Sequence, residues 1–442
     1  GALGAGDTAT FTQAFTTRDF GIGNKTLTPA GVVSDGNGGA NYSYTYTPVA
    51  TGTINKLALT VTAATDTKTY DGTTSSAATP TSGALGAGDT ATFTQAFTTR
   101  DFGIGNKTLT PAGVVSDGNG GANYSYTYTP VATGTINKLA LTVTAATDTK
   151  TYDGTTSSAA TPTSGALGAG DTATFTQAFT TRDFGIGNKT LTPAGVVSDG
   201  NGGANYSYTY TPVATGTINK LALTVTAATD TKTYDGTTSS AATPTSGALG
   251  AGDTATFTQA FTTRDFGIGN KTLTPAGVVS DGNGGANYSY TYTPVATGTI
   301  NKLALTVTAA TDTKTYDGTT SSAATPTSGA LGAGDTATFT QAFTTRDFGI
   351  GNKTLTPAGV VSDGNGGANY SYTYTPVATG TINKLALTVT AATDTKTYDG
   401  TTSSAATPTS GALGAGDTAT FTQAFTTRDF GIGNKTLTPA GW

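Results

Sequence analysis

Residues 56–74 read KLALTVTAATDTKTYDGTT, and the same run returns unchanged at Lys138, Lys220, Lys302 and Lys384, every 82 residues. Leu57, Leu59, Val61 and Ala63 share one parity, and Ala58, Thr60 and Thr62 share the other. Side chains alternate across a strand, so this writes one apolar face and one small, mostly hydroxylated face, the pattern of a half-buried β-strand. The intervening residues are copied without change as well, so the chain is one unit written about five times. Complete copies span 56–137, 138–219, 220–301 and 302–383, flanked by partial copies at 1–55 and 384–442. These limits point to a longer run of repeats, with any export signal or anchor lying outside it. Trp442 is the single departure, standing where Val32, Val114, Val196, Val278 and Val360 stand in the other copies.

The remainder of the unit is also written in short strands. Residues 8–15, TATFTQAF, place Ala9, Phe11, Gln13 and Phe15 on one parity, opposite Thr8, Thr10 and Thr12, which predicts a second one-sided strand. GIGN at 21–24 reads as a turn. KTLTPAGVV at 25–33 reads as a strand at an edge or a bulge, because Pro29 has no N–H for a ladder. A Gly/Asn loop at 35–41 leads into NYSYTYTPV at 41–49, with Tyr42, Tyr44 and Tyr46 on one face. ATGTIN at 50–55 then runs straight into the next KLALTVT with no Gly/Ser or proline linker, which predicts stiff joints. TTSSAATPTS at 73–82 reads as a connecting loop or weak strand. No segment carries a 3.6-residue period and glutamate is absent, so helix is disfavoured. The expected fold is all-β, a tandem array of small Ig-like β-sandwiches, with β-grasp-like units as the alternative.

The order of LTVTA, then Lys68-Thr69-Tyr70-Asp71-Gly72-Thr73-Thr74, then GNGGANY at 36–42 of the unit resembles the YDG-type repeat domains. These are relatives of the MBG domains of large secreted bacterial adhesins, the filamentous-haemagglutinin-like, two-partner-secreted exoproteins. The resemblance covers the whole unit. It implies a β-rich stalk module of an extracellular protein, supporting adhesion or biofilm formation by holding a distal binding region away from the cell, and it brings no catalytic residue. Tyr70, Asp71, Gly72, Asn41 and Tyr42 are its signature positions and read as structural.

Composition narrows the function further. The chain of 442 residues has a formal net charge of −5 and contains no Cys, Met or His. No basic patch offers itself to nucleic acid or to an anionic membrane surface. Disulfides and thiolate metal sites are excluded, and no apolar run reaches the roughly 20 residues that span a bilayer.

Several residue groups invite a chemical reading. Asp35, Asn37 and Asn41 offer oxygens at short spacing, as a calcium loop would, but Tyr46 stands where an EF-hand needs its bidentate glutamate. A Gly/Asn turn is the better reading, and no metal or cofactor is expected. Tyr42, Tyr44 and Tyr46 would make a stacking platform for glycans, or else the core face of a sandwich with hydroxyls at its rim, the favoured alternative. Asp71-Gly72 reads as a tight turn, not a catalytic carboxylate, since no His, Cys or Glu stands anywhere to serve as its partner. Expected partners are neighbouring repeats first, and identical chains or surface glycans in the alternative where the repeats themselves bind or form filaments.

Overall fold

The computed structural model describes residues 1–441; Trp442 lies outside the described residues. The chain divides into two units, 1–219 and 220–442. Each holds two complete copies of the repeat, built alike. The copy at 56–137 serves for all, with strands β1 (Leu57–Thr62), β2 (Thr67–Thr69), β3 (Thr81–Ser82), β4 (Thr90–Ala91), β5 (Thr94–Phe97), β6 (Gly103–Ala112), β7 (Val115–Ser116), β8 (Tyr124–Thr129) and β9 (Val131–Asn137). There is no helix among the described residues, and none therefore that could cross a membrane.

The strands of the copy form two main sheets, in the orders β8-β1-β3 and β5-β6-β9-β2, with β4 and β7 as a short separate pair. The copy is thus an all-β sandwich. The connections between its sheets are abrupt. Pro130 separates β8 from β9 and passes the chain from the first sheet to the second, as a residue that cannot donate to a ladder readily does. Between β1 and β2 the chain makes the same crossing through residues 63–66. As a result β1 lies parallel to β8 over six residues, Leu57 opposite Tyr124 through Thr62 opposite Thr129. β2 lies parallel to β9, with Thr67 opposite Thr135.

Parity holds except at Leu57, which opens the strand and is 45% exposed. Leu59, Val61 and Ala63 of β1 and its end are buried, as are Phe93, Phe97, Leu109, Val115, Tyr124 and Ile136. Gln95 is buried in the same file, and its amide closes the edge of the sandwich. Its Oε1 accepts from the Ala64 N–H at 2.8 Å, and its Nε2 donates to the Ala64 carbonyl at 2.8 Å and to Ser76 Oγ at 2.9 Å. A buried polar side chain is tolerated when its groups are matched in this way.

Two local expectations need revision, and the proline expectation holds in a local form. TATFTQAF forms two short strands and not one, because β4 pairs with β7 while β5 joins β6 in another sheet. GIGN does not turn the chain; it opens β6. The register moves from Gly103 opposite Ile136 to Lys107 opposite Gly134, so the extra residues are absorbed in a bulge. Gly105, at φ +66°, supplies the left-handed residue that the bulge needs. Pro111 sits in a strand that is central in its sheet, yet it lies beyond Leu109, the last residue to face Val131 of β9. Its missing N–H therefore meets a local edge.

Candidate functional site: the joint between copies

The buried residues do not group by copy. Leu59, Val61, Phe93, Val115 and Tyr124 form a cluster at one end of the sandwich. At the other end Ala63, Tyr70, Phe97, Leu109 and Ile136 form one continuous cluster with Leu141, Val143, Phe175, Val197 and Tyr206 of the following copy. In the second unit the same fusion joins Ala227, Tyr234, Phe261, Leu273 and Ile300 to Leu305, Val307, Phe339, Val361 and Tyr370. Half of each of these cores is lent by a neighbour. Only Lys138 separates β9, which ends at Asn137, from the next strand, which starts at Leu139.

At the centre of this joint lies the signature tripeptide. Tyr70 is buried, its ring edge-on to Tyr206 at 5.5 Å and 70°. Its hydroxyl donates to Asp171 Oδ2, 101 residues on, at 2.8 Å. The Tyr206 hydroxyl donates to the same oxygen at 2.7 Å and accepts from the Gly168 N–H at 2.8 Å. Asp171, its side chain fully buried, pairs through Oδ1 with Arg100 at 3.0 Å. The Arg100 guanidinium also donates to the carbonyls of Gly72 (3.3 Å), Ala169 (3.0 Å) and Asp199 (2.7 Å), so it ties one copy to two loops of the next. A buried carboxylate is costly unless paired and hydrogen-bonded, and here a cation and two hydroxyls meet it.

Asp71 and Gly72 complete the contact. The Asp71 carbonyl accepts from the Ala169 N–H at 2.8 Å. Its carboxylate holds Lys68 at 2.7 Å and accepts from the Thr73 N–H and hydroxyl, each at 2.8 Å, which forms the expected tight turn. Gly72 adopts φ +81°, and a Cβ built there would stand 2.3 Å from both N and O of Ala169. The backbone approach between copies thus requires glycine at this position.

The remaining candidate residues feed the same joint. Asp35 accepts from the N–H groups of Asn37 (2.8 Å), Gly39 (2.7 Å) and Asn41 (3.2 Å), and Asn37 Nδ2 donates to Asn41 Oδ1 at 3.4 Å. The oxygens that a calcium loop would present outward are turned onto the loop's own backbone. Among the described residues no group of three or more acidic, His or Cys side chains is placed to hold a metal. In complete copies the loop serves as a grip: Asn205 Oδ1 accepts from the Phe102 N–H of the preceding copy at 2.8 Å, and its Nδ2 donates to Asp101 Oδ1 at 3.3 Å. Lys138 lies over the Phe102 ring at 4.9 Å, an added cation–π contact.

The tyrosine face grades from core to rim. Tyr42 bonds Asp7 at 2.7 Å, Tyr44 donates to the Gly39 carbonyl at 3.1 Å and Tyr46 to the Gly31 carbonyl, with the rings of Tyr44 and Tyr46 stacked at 5.9 Å. In a complete copy Tyr206 is buried, Tyr208 half-buried and Tyr210 exposed. Sequence reading missed Arg100, Asp171 and Phe102. One signal was available: each copy carries a single arginine, in a unit whose other cations are lysines.

Ionisation follows from these contacts. Burial, then the hydrogen bond to Asp171, pushes Tyr206 up to about 12 from 10.0, and the same causes raise Tyr70 further. Burial pushes the Asp199 carboxyl up, but the N–H groups of Gly203, Asn201 and Asn205 outweigh it and hold the group below 3.8. A tyrosine raised in the folded state contributes stability that is complete below its unfolded value and lost as pH rises through the folded one. Denaturation of a two-copy fragment, 56–219, is therefore expected to show a joint contribution that fades between pH 10 and 12. The Asp199 contribution is complete above about pH 3.8 and lost as pH falls below it. Tyrosinate absorbance followed alongside the denaturation should show Tyr70 and Tyr206 ionising only as the joint opens; ionisation at pH 10 without loss of stability would contradict this.

The YDG domain model matches residues 55–132, 137–214, 219–296 and 301–378. The chain therefore belongs to the YDG domain family, as four tandem repeats. No curated protein sequence matches it. Among solved structures, N-cadherin EC1-4 of Drosophila is similar at 9% identity over 74% of this chain and 100% of that one, with a TM-score of 0.19.

Proposed function

We propose that these repeats form a stalk of an extracellular bacterial adhesin, carrying a distal binding region away from the cell in support of adhesion or biofilm formation. The role is architectural and not enzymatic. The observation that carries the reading is the shared core: within each unit the joint is built from buried side chains of both copies, with no flexible linker to bend. Small domains of this size are marginal alone, and in a repeat array stability is gained from nearest-neighbour interfaces. Reach then grows by whole copies without a change of fold. The lack of Cys is permissive of export through an oxidising compartment, and the match to YDG repeats supports the resemblance to adhesin stalks.

Small-angle scattering on two-copy and four-copy fragments, 56–219 and 56–383, over a concentration series tests this. The expected result is a concentration-independent profile whose maximum dimension rises in proportion to copy number. A square-root rise would indicate flexible joints. A mass that climbs with concentration would make self-association the function in place of spacing.

A further inference from the structure

We infer that each complete copy is a mechanical clamp that resists tension along the chain by shear of two parallel strand pairs. The inference rests on the stalk reading only in supposing that the chain is pulled by its ends. The chain enters the copy at β1 and leaves it at β9. β1 and then β2 run alongside β8 and then β9, all in one direction, so residues 57–69 and 124–137 form one long parallel ladder that bends from the first sheet into the second. The crossing points are bonded as well. The Leu57 N–H donates to Asn123 O at 2.9 Å and the Ala63 N–H to Thr129 O at 3.0 Å; the Thr135 N–H donates to Asp66 O at 2.9 Å and the Tyr70 N–H to Asn137 O at 2.8 Å.

Geometry decides how this ladder meets a load. Leu57 stands at the start of one side and Asn137 at the finish of the other, at opposite ends of a ladder roughly 40 Å long at about 3.3 Å per strand residue. Tension draws residues 57–69 one way and 124–137 the other. Every hydrogen bond is then strained across its axis at once, and no bond can fail before its neighbours share the load. Were the entering and leaving strands an antiparallel hairpin, both attachment points would lie at one end and the bonds would open singly. The same register recurs at 139–144 with 206–211, at 221–226 with 288–293 and at 303–308 with 370–375. The clamp is thus a property of each complete copy.

Force spectroscopy on the full chain separates direction from stability. Pulled by its two ends, the chain is expected to give four force peaks of equal height, one for each complete copy, separated by roughly 230 to 255 Å of released length. A double variant, Lys138→Cys with Ser207→Cys, moves the attachment points to one end of a single ladder, since Ala140 faces Ser207 and both substituted residues are exposed. The native chain has no cysteine, so attachment is unambiguous. A cooperative melting transition shows that the double variant is folded, with any small loss from the Lys138–Phe102 contact read separately from the direction of pulling. Peeling from these points is expected at a force several-fold below the end-to-end peaks. Equal forces in the two directions, or an end-to-end trace without the four peaks, would overturn the clamp. Neither result depends on the scattering experiment: an array that self-associates would lose the stalk reading and keep the anisotropy.

Discussion

A fragment cut at residues 56–137 is expected to fold cooperatively, whereas one of equal length cut at 83–164 is expected to remain largely unfolded, although both contain every residue of the repeat once. The second cut spares every antiparallel strand pair of the repeat, β1 with β3 included, but it parts β1 from β8 and β2 from β9. The flanking copies already display the consequence. In the structure residues 1–55 are not paired with a KLALTVT strand; Tyr42 to Thr47 form no strand, Phe11 is 55% exposed and Phe15 41%. Phe93 and Phe97, the same residues with the partner strand in place, are 6% and 2% exposed. At the other flank Tyr398 is 64% exposed where Tyr70 is 1%. Burying each such side chain is worth about 1.5 to 3 kcal/mol. Losing three or four together removes about as much as the 5 to 15 kcal/mol that holds a typical domain folded. Circular dichroism and denaturant titration of the two fragments check this, and a cooperative transition of equal midpoint in 83–164 would show that the parallel pairs are dispensable.

How far such an outcome was legible beforehand depends on the distance over which each contact acts. Leu59, Val61 and Ala63 are buried as parity demands, because a strand half-covered by a core leaves a period of two in its own residues. The expected sandwich follows from the same signal repeated along the unit. Pairing is less local. β8 is brought beside β1 across most of a copy, and nothing in either strand marks the other as its partner, whereas a hairpin would have carried a turn between them. GIGN misleads because Gly105 at positive φ serves a bulge as well as it would a turn. The joint was least legible of all. Tyr70-Asp71-Gly72 reads correctly as a turn through its Thr73 bonds, but what it grips, Asp171 and Ala169, lies in another copy of the same sequence. A unit read alone contains both halves of that joint and gives no sign that they belong to different neighbours. Likewise Asp35, which resembles a calcium ligand by spacing, is a loop cap because the nearest donors are its own backbone N–H groups.

Gly72→Ala in the two-copy fragment 56–219 should cost well over the effect of Gly105→Ala, and the difference isolates the joint. Both glycines adopt positive φ, near +81° and +66°, where a non-glycine residue costs roughly 1 to 2 kcal/mol. They differ in what a methyl group would meet. At Gly105 nothing lies within 4 Å, while at Gly72 the added carbon would stand 2.3 Å from Ala169 N and O. Those are backbone atoms, and no rotamer moves them aside. The copies must separate, and separation breaks the Ala169 N–H bond to Asp71, withdraws Tyr70 from Asp171 and opens the shared cluster to water. Leaving a buried ion pair short of its partners alone costs about 3 to 5 kcal/mol. Denaturant unfolding is therefore expected to change from one transition to two, with the lower midpoint well below that of Gly105→Ala. Tyrosine titration supplies a second reading of the same event. Tyr70, held well above 10.0 by burial and by Asp171 in the closed joint, should return toward that value once exposed. If Gly72→Ala costs no more than Gly105→Ala and the tyrosines still resist ionisation, the close approach of Gly72 to Ala169 does not exist in solution, and the signature tripeptide is a turn and nothing more.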